Sequence, residues 1–228
     1  MEKCKSVATP MVVNDKFNDA NSYKLIDPSI YRSLIGSLLY ARGSRPDIMF
    51  LGTLDLGLHF KYLNEVKLYG YSDSDYAGDV KDFKSTSGYV FFLRSAAFSW
   101  NTKKQQVVAQ YTAKAEYIAA AATINQGVWL RKLLLDLKFN QQEATELFLD
   151  SKSAIAIGKN PVNHGRTKHI NVKFHAVREA EKLKEVKFSY CNSNKQVADI
   201  FTTALPKERF EDLRLMLVVC KASPKEDC

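Results

Sequence analysis

The sequence predicts an α/β fold built on a five-stranded mixed sheet flanked by helices, and three patterns carry that expectation. Three strand-like runs follow one another closely: Val66-Lys-Leu-Tyr-Gly-Tyr71 alternates, Gly88-Tyr-Val-Phe-Phe-Leu93 is continuously apolar, and Ala97-Phe-Ser-Trp100 follows after a short turn. Runs this close fold as an antiparallel meander. A helical pattern from Thr112 to Leu137 then leads to the apolar run Leu147-Phe-Leu149. A strand reached through a helix lies parallel to its neighbour.

Taken in chain order, a polar irregular opening precedes a helix from Pro28 through Tyr40, whose apolar positions are Ile30, Leu34, Leu38 and Leu39. It ends in the breaker-rich run Arg42-Gly-Ser-Arg-Pro46. This opening is too small to be a domain. After the meander, the long helix presents Tyr117, Ala121, Ile124, Val128 and Leu135 on a broad apolar face. Beyond Leu149 the pattern gives helices at Ser153–Lys159 and Lys168–Lys184, an alternating strand at Val186–Tyr190, and a helical close from Lys195 to Leu217. Pro206 either starts a new helix there or kinks the last one.

Composition narrows the function classes. The 228 residues carry 33 Lys+Arg against 25 Asp+Glu, a formal charge of +8, with 46% apolar residues. That is enough apolar matter for a core and too much for a disordered chain. The four cysteines, Cys4, Cys191, Cys220 and Cys228, form no Cys-x-x-Cys pair, which argues against a disulfide framework or a structural zinc site. No apolar run reaches the ~18 residues of a membrane span, and the first ten positions lack a signal-peptide core, so the expected location is the cytosol or nucleus and no membrane partner is expected. Positive charge gathers between Lys152 and Lys195, where ten Lys/Arg face only Glu179, Glu181 and Glu185. Such a stretch reads either as a phosphate-facing surface or as a solvated face.

Four acids stand at element ends beside apolar runs: Asp73 after the first sheet strand, Glu116 near the start of the long helix, Asp150 after the fourth strand, and Asp199 in Val197-Ala-Asp-Ile200. If the first and fourth strands are neighbours, these ends converge on one sheet edge. Clustered carboxylates repel unless cations neutralise them, and paired magnesium ions held by such ligands serve phosphodiester hydrolysis. Spacing alone favours the plainer reading, with Asp73 and Asp150 as ordinary strand-end residues, Glu116 as a first-turn helix acid and Asp199 as a surface acid.

At these residues the sequence resembles the ribonuclease H domain of copia-type LTR retrotransposon Pol polyproteins. The likeness rests on Gly70-Tyr-Ser-Asp-Ser-Asp-Tyr-Ala-Gly-Asp79, Lys84-Ser-Thr-Ser-Gly-Tyr-Val-Phe-Phe-Leu93, Ser99-Trp-Asn-Thr-Lys-Lys-Gln105, Ala115-Glu-Tyr117, Ser153-Ala-Ile-Ala-Ile157, Arg166-Thr-Lys-His-Ile170 and Gln196-Val-Ala-Asp-Ile-Phe-Thr202, in family order. The resemblance implies a ribonuclease H-like fold and an endonuclease that cuts the RNA strand of an RNA/DNA hybrid. It further implies two Mg²⁺ ions, or Mn²⁺, on Asp73, Glu116, Asp150 and Asp199. Asp75 and Asp79 are then loop acids. Lys103, Lys104, Arg166, Lys168 and His169 become candidate nucleic-acid contacts. The same fold without turnover, as an inactive or domesticated nucleic-acid-binding protein, is the competing reading.

The opening segment resembles the tail of the family's reverse transcriptase, through Tyr31-Arg-Ser-Leu-Ile-Gly-Ser-Leu-Leu-Tyr40 and Arg45-Pro-Asp-Ile-Met-Phe50. No Tyr-x-Asp-Asp polymerase motif, protease signature or integrase zinc array accompanies it, so a nuclease is the activity suggested, with the reverse-transcriptase portion as a partner. The resulting division is a reverse-transcriptase and connection remnant at 1–64, expected to pack poorly, a ribonuclease H-like domain at 65–220, and a disordered tail at 221–228. The family's helical connection is missing between Phe50 and Gly52.

Smaller departures concern the site. Lys114 stands where the family has an acid, and its ammonium is expected to lower the pKa of Glu116. Ser151 replaces an Asn, Asn171 an Asp, and Thr203 a Lys. Trp100 is read as core, with hybrid support beside Lys103 and Lys104 as the other reading. Trp129 is read as core or helix–helix contact.

Overall fold

The computed structural model describes residues 8, 9, 13, 27–44, 56–61, 66–159 and 177–221. Its centre is a five-stranded sheet of β2 (Leu68–Asp75), β3 (Thr86–Leu93), β4 (Ala96–Lys104), β5 (Thr145–Leu149) and β6 (Val186–Tyr190), in the order β4-β3-β2-β5-β6. The meander is antiparallel, while β5 joins β2 and β6 in parallel, as the intervening helix requires. The expected mixed sheet is therefore present. A separate two-stranded ribbon pairs β1 (Leu56–Leu58) with β7 (Val219–Lys221). Three-residue strands are too short to leave a periodic signal in sequence, and neither was anticipated.

One face of the sheet is covered by α2 (Thr112–Asp136), α3 (Lys152–Lys159) and α4 (residues 177–182). Leu68, Phe91, Leu147 and Leu149 point into this layer and meet Tyr117, Ile124 and Leu130 of α2, Ala154 of α3 and Val177 of α4. Phe91 is wholly buried. A Cβ at Gly127 would lie 3.2 Å from its ring, so the glycine permits α2 to sit this close to the sheet. Truncating Phe91 to alanine belongs to the class of core changes costing about 3–5 kcal/mol. The helix ends at Leu137, and Lys138 takes φ 68° to turn the chain away, a stop that no glycine marks in the sequence.

The other face carries Val90, Phe92 and Ala97 against Val197, Leu217 and Val219, with Leu58 and Trp100 packed beside them. Trp100 therefore contributes to packing. Tyr69 stacks on Phe92 at 5.0 Å, and Tyr71 on Phe148 at 4.9 Å. Trp129, by contrast, is 54% exposed on α2, so its expected core role is overturned: it lies on the side of the helix that faces away from the sheet.

Boundaries differ in two places. The first helix, α1 (Pro28–Ser44), runs on into the breaker-rich segment. The continuous helical close from Lys195 is instead two short 3₁₀ turns, Ser193–Lys195 and Val197–Phe201, followed by α5 (Lys207–Met216). Pro206 is the N-cap of α5, so it starts a new helix, where its missing N–H costs nothing. The region between Phe50 and Gly52, the basic block around 166–170, Asn171 and residues 222–228 lie outside the described residues.

Candidate metal centre

Register brings the first two acids together. Tyr71 of β2 pairs with Phe148 of β5 in the parallel ladder, so Asp73 and Asp150, each two residues further on, emerge level at the same sheet edge. Helix α2 lies against β2 and supplies Glu116 from its second turn. One carboxylate oxygen from each of Asp73, Glu116 and Asp150 lies within 4.8 Å of the other two. Asp199 is not in this trio. It stands on the 3₁₀ turn Val197–Phe201, with Arg209 Nη2 of α5 3.5 Å away.

Neighbouring hydroxyls hold Asp73 and Asp150. The Thr202 hydroxyl donates to an Asp73 carboxylate oxygen, and the Ser193 hydroxyl donates to Asp150 at 3.0 Å. Thr202 can come this close because the residue paired with Asp73 across the ladder is Gly88, where a Cβ would meet the Thr202 methyl at 2.7 Å. Gln196 fastens the 3₁₀ segment to β2 by donating to the Ser72 carbonyl at 2.9 Å. Gln105 sits behind Glu116, its amide directed at the Ala115 carbonyl, Ser74 and Ser87. Ser151 accepts from the Ala154 N–H and so caps α3, a role that suits serine.

The electrostatics are those of a site short of positive charge. Burial pushes Asp73 up to about 7, an effect opposed by Thr202 and reinforced by Asp199 and Asp150. Burial pushes Glu116 further, to about 9, with Asp73 and Asp150 adding to it. The Cys191 thiol is raised to about 12, first by burial and then by Asp150 and Asp73, which places this cysteine beside the trio. Asp199 is also raised by burial, with Arg209 opposing. Lys114 does not act as expected: its ammonium reaches toward Gln110, 3.5 Å away, and Glu116 is shifted up rather than down.

These residues fit a divalent cation. Glu116 Oε2 is buried without a hydrogen-bond partner, and a buried carboxylate oxygen with no donor is costly unless a cation meets it. The donor set is all oxygen, the preference of Mg²⁺ and Mn²⁺.

The other sequence candidates divide. Lys104 Nζ lies 2.5 Å from Asp79 and 2.9 Å from Asp82, so its charge is committed to a loop ion pair. Asp79 is accordingly a loop acid, held down at about 2 by Lys104. Lys103 is exposed at the end of β4. Arg166, Lys168 and His169 lie outside the described residues. Sequence reading passed over Ser193 and Arg209 and gave Thr202 no task, since their parts depend on which residues fold across to them.

No protein-family model matches the sequence. The retrovirus-related Pol polyprotein from transposon RE2 of Arabidopsis thaliana is 31% identical over 251 residues, covering 98% of this chain and 17% of the relative. That from transposon TNT 1-94 of Nicotiana tabacum is 33% identical over 244 residues, covering 92% of this chain and 18% of the relative. The chain thus spans about a sixth of the length of these relatives. Among solved structures, the N-terminal ribonuclease H domain of a Mycobacterium tuberculosis protein, fused to maltose-binding protein, aligns over 66% of this chain and 98% of that one, with TM-score 0.45 and 11% identity. Among the described residues, no helix is long and apolar enough to cross a membrane.

Proposed function

We propose that this chain, whose homologues are copia-type retrotransposon Pol polyproteins, is a metal-dependent endonuclease that hydrolyses the RNA strand of RNA/DNA hybrids. The observation that carries this reading is the trio of buried Asp73 and Glu116 with half-buried Asp150, and its orphaned Glu116 oxygen. Mg²⁺ or Mn²⁺ would be held by these three acids, with Asp199 available to a second ion. Bound there, the cations supply the positive charge that in-line phosphodiester hydrolysis needs at the attacking and leaving oxygens.

The chain's own part is orientation and exclusion. Thr202 and Ser193 fix two carboxylates by hydrogen bonds, and Gln105 and Gln196 brace the backbone behind them. The low exposure of Asp73 and Glu116, 5% and 9%, keeps bulk water from competing for their oxygens. Lys103, Arg166, Lys168 and His169 are assigned to the hybrid's phosphates, a sequence-independent hold that weakens steeply with salt. In this reading residues 1–64 are the reverse-transcriptase remnant, 65–220 the nuclease domain and 221–228 a tail, with β1 of the remnant paired to β7, whose last residue is Lys221. The missing connection near Phe50 accords with an alignment of 251 positions against a chain of 228.

The test is incubation of the purified chain with a labelled RNA/DNA hybrid, with and without Mg²⁺, beside Asp73→Asn. Metal-dependent cleavage of the RNA strand that the substitution abolishes is the expected result. A folded protein that cleaves no better than the variant would instead be a nucleic-acid-binding fold without turnover.

A further inference from the structure

Arg209 touches more of the site than its sequence position suggests. Its guanidinium lies 3.5 Å from Asp199, donates to the Ser193 carbonyl oxygen at 2.6 Å and also to that of Asn194. The paired side chains are mostly covered, 24% and 29% exposed. Asp73 and Asp150 are met instead by neutral donors, the hydroxyls of Thr202 and Ser193. A cation in the first turn of α5 works against the helix dipole, so helix stability does not account for it.

We propose that Arg209 is a positioning residue acting as a built-in counter-cation for Asp199, so that a second divalent ion enters this site in competition with the guanidinium while the first does not. The inference rests on the metal-centre reading above and extends it to the order and strength of loading. Among the described residues no ion pair reaches the trio, and its Glu116 Oε2 has no donor, so the first ion meets an open demand for charge. Asp199 is already partly neutralised. The guanidinium cannot swing aside freely, because it is anchored to two backbone carbonyls of the 193–195 turn. Positive charge fixed beside a ligand lowers that ligand's affinity for any second cation.

A bracing role alone predicts the opposite sign. Loss of Arg209 would then slacken the turn that carries Ser193, and with it Asp150, and both binding events would weaken. The direction of change therefore separates the two roles.

The experiment is calorimetric titration of the full chain with Mn²⁺, comparing wild type, Arg209→Gln, Arg209→Lys, Asp199→Asn and Asp73→Asn. The tighter event is expected to be unchanged in both Arg209 variants. The weaker event should tighten roughly fivefold in Arg209→Gln, the size expected for a partly exposed ion pair, and stay at the wild-type value in Arg209→Lys, which keeps the charge. Asp199→Asn should remove the weaker event. An unchanged or weakened second event in a folded Arg209→Gln overturns the proposal, as does a second event that survives Asp199→Asn if Arg209→Gln does not fold. A first event abolished by Asp73→Asn, without a second event sensitive to Arg209, overturns the proposal alone. No Mn²⁺ uptake by the wild-type chain overturns both it and the metal centre.

Discussion

Thr202 and Asp73 stand 129 positions apart in the chain, yet the Thr202 hydroxyl donates to an Asp73 carboxylate oxygen at the end of β2. A donor of this kind favours the ionised acid, and it opposes the burial that holds Asp73 near 7. Thr202→Val removes the donor at nearly constant volume. The midpoint pH of Mn²⁺ binding should rise by roughly one unit, the worth of one hydrogen bond to a charged group, and Thr202→Ser should restore it. Titrations at several pH values measure this.

Stability without metal should fall as pH rises. Asp73 and Glu116 are lifted to about 7 and about 9, above their unfolded values of 3.8 and 4.5. Between each pair of values the folded state keeps a proton that the unfolded state has released, so unfolding gains ground with every increment of pH. The stability is fully present below about pH 4 and declines through about pH 9. Thermal melts in a chelator should show a midpoint at pH 5 above that at pH 9 by roughly 5 °C or more. A flat profile would contradict the burial of these acids.

Glu116→Gln should stabilise and disable at once. At pH 9 and above, the substitution removes a buried charge that repels Asp73 and Asp150, worth about 1–2 kcal/mol in the metal-free chain. The same change should abolish the tighter Mn²⁺ event. Urea denaturation and calorimetry on one preparation test both halves.

The β1–β7 ribbon should matter to folding. Leu58 packs against the Val90, Phe92 and Leu217 cluster, the His59 N–H donates to the Val218 carbonyl, and the Lys61 N–H donates to Ser95. A chain beginning after residue 61 should lose about 1–3 kcal/mol, the cost of one partly buried leucine and a short ladder. Urea unfolding of the two chains measures the difference.

The central sheet was readable because its strands alternate or run apolar over five or more residues and because a helix intervenes before β5. The acids were readable as residue types at element ends, but their convergence needed the Tyr71–Phe148 register, which no local pattern encodes. The resemblance named the four acids together; the structure gathers three and leaves Asp199 with Arg209. Trp129 was misread because helical periodicity cannot tell which apolar residue falls outside the stripe that meets the sheet. Trp129→Gln should accordingly change stability by less than about 0.5 kcal/mol. Lys114 was misjudged because adjacency in sequence does not place side chains together on a helix.

The level alignment of Asp73 with Asp150 has a consequence for the timing of synthesis. A chain emerging from the ribosome presents Asp73 and Glu116 long before β5 exists to be laid alongside β2, and the Thr202 and Ser193 donors come later still. The three acids therefore come together only when nearly the whole sheet has been made, after β5 is laid beside β2.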